Sequence, residues 1–195
     1  MNKYEYLSKR YRRIKRNLRI RLGIQQLIFK PYLNALLVVV LVGFILFWKN
    51  KTNLYANAPK FILPLWQGIV HIFGISAFIF LLVFIIYMIG ELTARLDESN
   101  LIIAFGERDL RNGCPILMKK KQDKETGITI REFYSNTPLK RWVDSKDEIA
   151  DSMDIHFVKP DIEYGGKNKD NGKRIVLYTA KGRKPTEREV LYDEE

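Results

Sequence analysis

Two stretches of this sequence, Tyr32 to Trp48 and Phe61 to Gly90, contain no Asp, Glu, Lys or Arg. Nothing else in the chain restricts its fold as strongly. A run of about 18 or more such residues can cross a hydrocarbon core of about 30 Å as a helix. Within lipid a helix is favoured because it satisfies its own backbone hydrogen bonds. The expected fold is a membrane α-helical hairpin of two transmembrane helices, followed by a small cytoplasmic α+β domain. The boundaries read as a basic amphipathic cytoplasmic segment over 1–30, transmembrane helices over 31–48 and 61–90, and a short external loop over 49–60. A linker helix over 91–112, a small α+β module over 113–182 and a polar tail over 183–195 complete the chain.

Charge sets the expected orientation. Residues 1–30 hold ten basic side chains and one acid, Glu5, and the loop between the spans has three lysines and no acid. Beyond Gly90 the two signs nearly cancel. The flank richest in Lys and Arg stays inside, so both termini are expected in the cytoplasm of a bacterial cell, in a multi-pass cell-membrane protein.

Tyr32 and Trp48 bracket the first span, and Trp66 and Gln67 suit the outer interface of the second. The second span is overlong and would tilt. His71 lies one turn inside it and has no charged partner within either span, so it reads as a neutral interfacial or packing histidine. Gly74, Ser76 and Ala77 would permit close helix approach. Lys49 follows the first apolar run where a signal peptide would carry small residues, which argues against cleavage. The single Cys114 excludes a disulfide framework. Asn50-Lys51-Thr52 matches a glycosylation acceptor but lies too close to the bilayer to serve.

Between Lys9 and Arg21, eight of thirteen residues are basic: Lys9, Arg10, Arg12, Arg13, Lys15, Arg16, Arg19 and Arg21. Tyr4, Leu7, Tyr11, Ile14 and Leu18 recur three and four apart, as on one face of a helix. Such a helix could lie on an anionic leaflet with its cations on phosphates. The same charges could neutralise nucleic-acid phosphates, or serve only as a topology signal. These readings stay open; anionic lipid or phosphate is the expected contact.

After Gly90, Leu92 and Leu96 with Arg95, Asp97 and Glu98 read as the second span continuing as an exposed helix toward Leu110, with a stop at Asn112-Gly113. Strands are expected over Pro115–Lys121 and Ile128–Tyr134. Ser145-Lys146-Asp147-Glu148 reads as a capping box opening a short helix. A strand over Asp154–Val158 ended by Pro160 and a final hairpin, Ile162–Tyr164 with Arg174–Ala180, complete a ββαβββ order. Gly166 to Lys173 only superficially resembles a phosphate loop: its glycine spacing is one too long and Arg174 replaces the Ser or Thr. It reads as a hairpin turn. Two histidines and one cysteine give no metal-ligand spacing, His156 reads as a structural residue, and no carboxylate pair is marked out for acid–base work.

Residues 128–182, ITIREFYSNTPLKRWVDSKDEIADSMDIHFVKPDIEYGGKNKDNGKRIVLYTAKG, resemble the module that precedes the motor in FtsK/SpoIIIE-type DNA translocases. There a strand leads to an ADDIALAL-like helix, matched by Asp147 to Met153. An SVRI-like strand follows, matched by Asp154 to Val158, and then an IGIEVPN-like strand, matched by Arg174 to Gly182. The anchored N-terminus resembles the two-span coupling proteins of Gram-positive conjugative elements.

The resemblance implies a membrane anchor and pre-motor module, with double-stranded DNA as substrate of the motor. That motor would lie beyond Glu195, so this chain is expected not to be an enzyme by itself. It is expected to hold no cofactor, ATP and magnesium belonging to the motor domain. Expected partners are the lipid bilayer and further copies or other subunits of a membrane complex, with DNA reached through the motor. The alternative is a small two-span adaptor of a conjugation or envelope complex that binds neither DNA nor nucleotide. A lipid-modifying enzyme is disfavoured by the absence of a catalytic constellation.

Overall fold

The computed structural model describes residues 3–55, 59–109 and 113–183. The expected tail from residue 184, Asn112 of the expected helix stop and residues 56–58 of the expected loop lie outside them. The protein is mostly helical, with two long apolar helices and a small antiparallel four-stranded sheet. It divides into two compact units, Met1–Arg95 and Leu96–Glu195.

The first unit is helical. Helix α1 spans Lys3–Phe29, α2 Asn34–Asn50, and α3 Leu63–Asp109, which continues into the second unit. Single 3-10 segments, Pro31–Leu33 and Lys51–Tyr55, flank α2. Pro31 suits the first of these because a helix start leaves N–H groups unpaired anyway. The segments Pro31–Tyr55 and Leu63–Gly106 are long and apolar enough to cross a membrane. No residue of α2 is buried in the protein. Its Val38, Val39 and Leu46 are exposed, as are Ile72, Phe73 and Phe80 of α3.

Contacts between α2 and α3 are aromatic. Phe44 stacks on Phe78 with centroids 4.3 Å apart. Of Gly74, Ser76 and Ala77, only Gly74 is buried; a Cβ there would stand 2.5 Å from Cε1 of Phe47. Near the turn, Trp66 Nε1 donates to the Leu54 carbonyl at 3.0 Å. His71 does meet a charged side chain, supplied by the loop rather than a span: Lys51 Nζ lies 2.9 Å from its Nε2. The same ammonium sits 3.9 Å from the Trp48 ring centroid, a cation–π contact.

The second unit is built on a sheet of order β1-β2-β4-β3, with every neighbouring pair antiparallel. Its strands are β1 Ile116–Gln122, β2 Thr129–Tyr134, β3 Ile155–Gly165 and β4 Asn171–Lys181, and α4 Leu139–Asp144 and α5 Lys146–Met153 join β2 to β3. The order is therefore ββααββ. Pro160 does not end a strand: β3 runs through it, and the pairing with β4 jumps from Phe157↔Thr179 to Ile162↔Leu177. Proline lacks the ladder N–H, and an irregularity on an edge strand is where that loss is tolerated. The capping box also fails to form. Ser145 closes α4 and opens α5 at once, and its side chain makes no cap hydrogen bond.

Trp142 of α4 is fully buried, with Phe105 against it edge-on at 4.8 Å and Phe133 at 5.6 Å. Ile116, Leu117, Ile149, Ile175 and Leu177 complete this core. Asp97 and Glu98, expected to be exposed, are instead buried. The Asp97 carboxylate accepts from Arg131 at 3.3 Å and pairs with Lys120 at 2.8 Å, and Glu98 Oε1 accepts the Leu117 N–H at 2.9 Å. Buried carboxylates persist where partners of this kind replace water.

Candidate anion-binding cleft

Helix α1 divides into two functional lengths. Toward its C-terminal end, Arg19, Leu22, Gly23, Gln26 and Leu27 are buried. They fall three and four apart, so they form one face. That face lies on α3. A Cβ on Gly23 would stand 1.9 Å from the Ile86 carbonyl oxygen, and one on Gly90 would stand 2.0 Å from the Arg19 carbonyl oxygen. Only glycine lets two backbones approach so closely. Beside this crossing, Arg19 Nε donates to Glu91 Oε2 at 2.6 Å.

Toward the N-terminal end the helix carries its charge. Lys9, Arg12, Arg13, Lys15 and Arg16 line one wall of a cleft of about 660 Å³, and Tyr87 and Glu91 of α3 line the other. Lys9 Nζ bonds to Glu5 at 2.6 Å, and Arg12 Nη2 donates to Ser8 Oγ at 3.0 Å. Glu91 already meets Arg19, so the cleft combines five cations with one engaged carboxylate. Such a surface can hold phosphate oxygens through charge-assisted hydrogen bonds, the guanidinium groups in bidentate fashion.

The eight basic residues singled out from the sequence therefore separate into three sets. Five share the cleft. Arg10 and Arg21 are exposed on α1 but do not line it. Arg19 stands apart from both sets: its side chain is fully enclosed and pairs with Glu91. Tyr87 and Glu91 carry no signal of their own in the sequence; only the packing of α1 on α3 sets them opposite the cations. The docked face was missed for a related reason: its centre is Arg19, Gly23 and Gln26, which breaks a purely apolar pattern. A glycine inside a helix, set between Leu22 and Leu27, is the signal that could have found it.

In the second unit, His156 Nδ1 donates to the Gly182 carbonyl at 2.7 Å, a structural bond. Gly166 to Asp170 forms the turn between β3 and β4, so the lookalike phosphate loop joins strand to strand. Among the described residues, no group of three or more His, Cys, Asp or Glu side chains could hold a metal ion.

No protein-family model matches the chain, and a search of curated proteins finds no match. Among solved structures the chain is similar to the pCW3 conjugation coupling protein TcpA, in its monomer form with ATPγS, at 21% identity and a TM-score of 0.37. The match covers 46% of this chain and 25% of that protein.

Proposed function

We propose that the chain is the membrane anchor and pre-motor module of an FtsK/SpoIIIE-like DNA translocase or conjugative coupling protein. The observation that carries the anchoring is the exposure of apolar surface: no residue of α2 is buried in the protein. A core helix of equal hydropathy would be covered. Left in water, Val38, Val39, Leu46, Ile72, Phe73 and Phe80 would each stand exposed, and extended apolar surface on a monomer marks an interaction face rather than an ordinary solvated one. Lipid is the solvent that suits them. Both termini are then cytoplasmic, by the basic flank of α1.

The pre-motor role is supported by the resemblance of residues 128–182, whose strand, short helix, strand and final strand fall on β2, α5, β3 and β4. In this reading the hairpin tethers the sheet unit beneath the membrane, where a motor domain acting on double-stranded DNA would stack on it. Copies of the chain would assemble around that motor.

Labelling of Cys114 tests the anchoring. In intact cells a membrane-permeant maleimide should modify it and an impermeant one should not. Modification by the impermeant reagent, or a chain that stays soluble without detergent, overturns the topology. For the pre-motor role, crosslinking in cells should capture a P-loop ATPase. Recovery of other membrane subunits alone, insensitive to nuclease, points instead to an adaptor.

A further inference from the structure

We infer that the cleft between α1 and α3 is a binding site for the phosphate headgroup of an anionic phospholipid, an inference that rests on the membrane-anchor reading above. Three features converge on that ligand. The first is charge. Lys9, Arg12, Arg13, Lys15 and Arg16 share one wall, and like charges three and four apart weaken the helix that carries them. Among the described lining residues Glu91 is the one carboxylate, drawn to Arg19 at 2.6 Å. Lys9 is paired with Glu5 beside the cleft, so cations still outnumber carboxylates there. An anion with several oxygens relieves that repulsion.

The second feature is depth. Tyr87 stands three residues before Gly90, where the uncharged stretch ends. Tyrosine at such a position belongs at headgroup level, its hydroxyl among polar groups and its ring toward the chains. The third is what adjoins the cleft. Val83 and Phe84, one turn before Tyr87 on α3, are exposed. They offer an apolar wall to an acyl chain whose phosphate sits among the cations. Cations at one end and an apolar wall at the other fit a phospholipid; duplex DNA and free phosphate have no use for the wall. Basic pockets at the cytoplasmic ends of membrane helices bind anionic headgroups in this way. The cleft is an open groove of about 660 Å³, with room for a headgroup.

The test uses the full chain in neutral detergent, with retained lipid counted by native mass spectrometry. Dioleoyl phosphatidylglycerol should be retained in preference to dioleoyl phosphatidylcholine. Arg12→Gln with Arg16→Gln should weaken phosphatidylglycerol retention about thirtyfold, two surface charges' worth. Arg10→Gln with Arg21→Gln removes the same charge outside the cleft and should change retention less than threefold. Equal losses in the two double variants overturn the site in favour of diffuse attraction, and so does equal retention of the two lipids. Displacement of phosphatidylglycerol by millimolar inorganic phosphate would reassign the cleft to a free ion. Displacement by a short DNA duplex at physiological salt would reassign it to nucleic acid. A chain that resists carbonate extraction from membranes yet shows no lipid preference sinks this inference alone. One that is soluble without detergent sinks the anchor reading as well.

Discussion

Gly90 of α3 lies so close to Gly23 of α1 that a Cβ added to it would stand 3.1 Å from the Gly23 nitrogen, besides meeting the Arg19 carbonyl oxygen. Backbone faces backbone there, so no flexible side chain can yield. Gly90→Val should push α1 off α3 at a cost of about 1–3 kcal/mol, typical of overpacking. The basic length of α1 should then become more sensitive to trypsin in membranes or detergent, read as faster cleavage after Arg19 and Arg21. Unchanged cleavage kinetics would show that the two helices do not depend on this crossing.

The neighbouring ion pair should be strongly coupled. Arg19 is enclosed while the Glu91 side chain remains 30% exposed. Glu91→Gln withdraws the carboxylate from a buried guanidinium and should destabilise the unit by up to about 3 kcal/mol. Arg19→Met combined with Glu91→Gln should cost less than the two single changes added together. A double-mutant cycle on denaturant midpoints measures the difference, and additivity within about 0.5 kcal/mol would mean the pair contributes nothing as a pair.

Trp142 separates packing from hydrogen bonding in the second unit. Its ring touches Phe105 and Phe133, but its buried Nε1 has no acceptor among the described residues. Trp142→Phe keeps an aromatic ring and deletes an unsatisfied donor, so its cost should stay below about 1.5 kcal/mol. Trp142→Ala opens the core and should cost about 3–5 kcal/mol. Hydrogen exchange of β2 and β4 amides distinguishes the two. Equal protection loss in both variants would contradict the assignment.

Asp161 supplies a pH-dependent contribution. Its carboxyl is held below the ordinary carboxylate range, chiefly because the Lys146 ammonium donates to it and also because the Ile162 N–H does. A folded pKa below the unfolded one stabilises above the unfolded carboxylate pKa, and that stabilisation is lost as pH falls through the folded value. Asp161→Asn should therefore be less stable than the parent at neutral pH, and the two should converge in strong acid. Both partners are over one-third exposed, so the gap should remain under about 1 kcal/mol. Thermal melts from pH 7 down to about pH 2 would expose a constant gap if the pairing were irrelevant.

How far the sequence could be read depended on whether a signal was local. The apolar helices and the first two strands are written in runs of neighbouring residues, and the structure places helices and strands there. Asp97 and Glu98 were misjudged because a carboxylate's burial depends on partners such as Arg131 and Lys120, more than twenty positions away. Pro160 reads as a terminator in sequence, whereas its tolerance inside β3 depends on β3 being an edge strand with irregular pairing, a property of the whole sheet. Helix α4 was unseen: six residues carry too little periodicity, and burial of Trp142 supplies what propensity does not. The cationic length of α1 was plain, yet which charges share a cleft depends on the opposite wall.

The sheet's two outer strands also govern how this unit tolerates crowding. β1 carries Lys119, Lys120 and Lys121 in succession, and β3 carries Lys159 beside Pro160. Charge on one rim and a residue without an N–H on the other deter a foreign strand from docking edge to edge. Many copies held at high local density would therefore be spared fusing into a continuous ribbon. Contacts between such copies, were they to form, would fall on side-chain surfaces, which can be undone without unravelling a ladder.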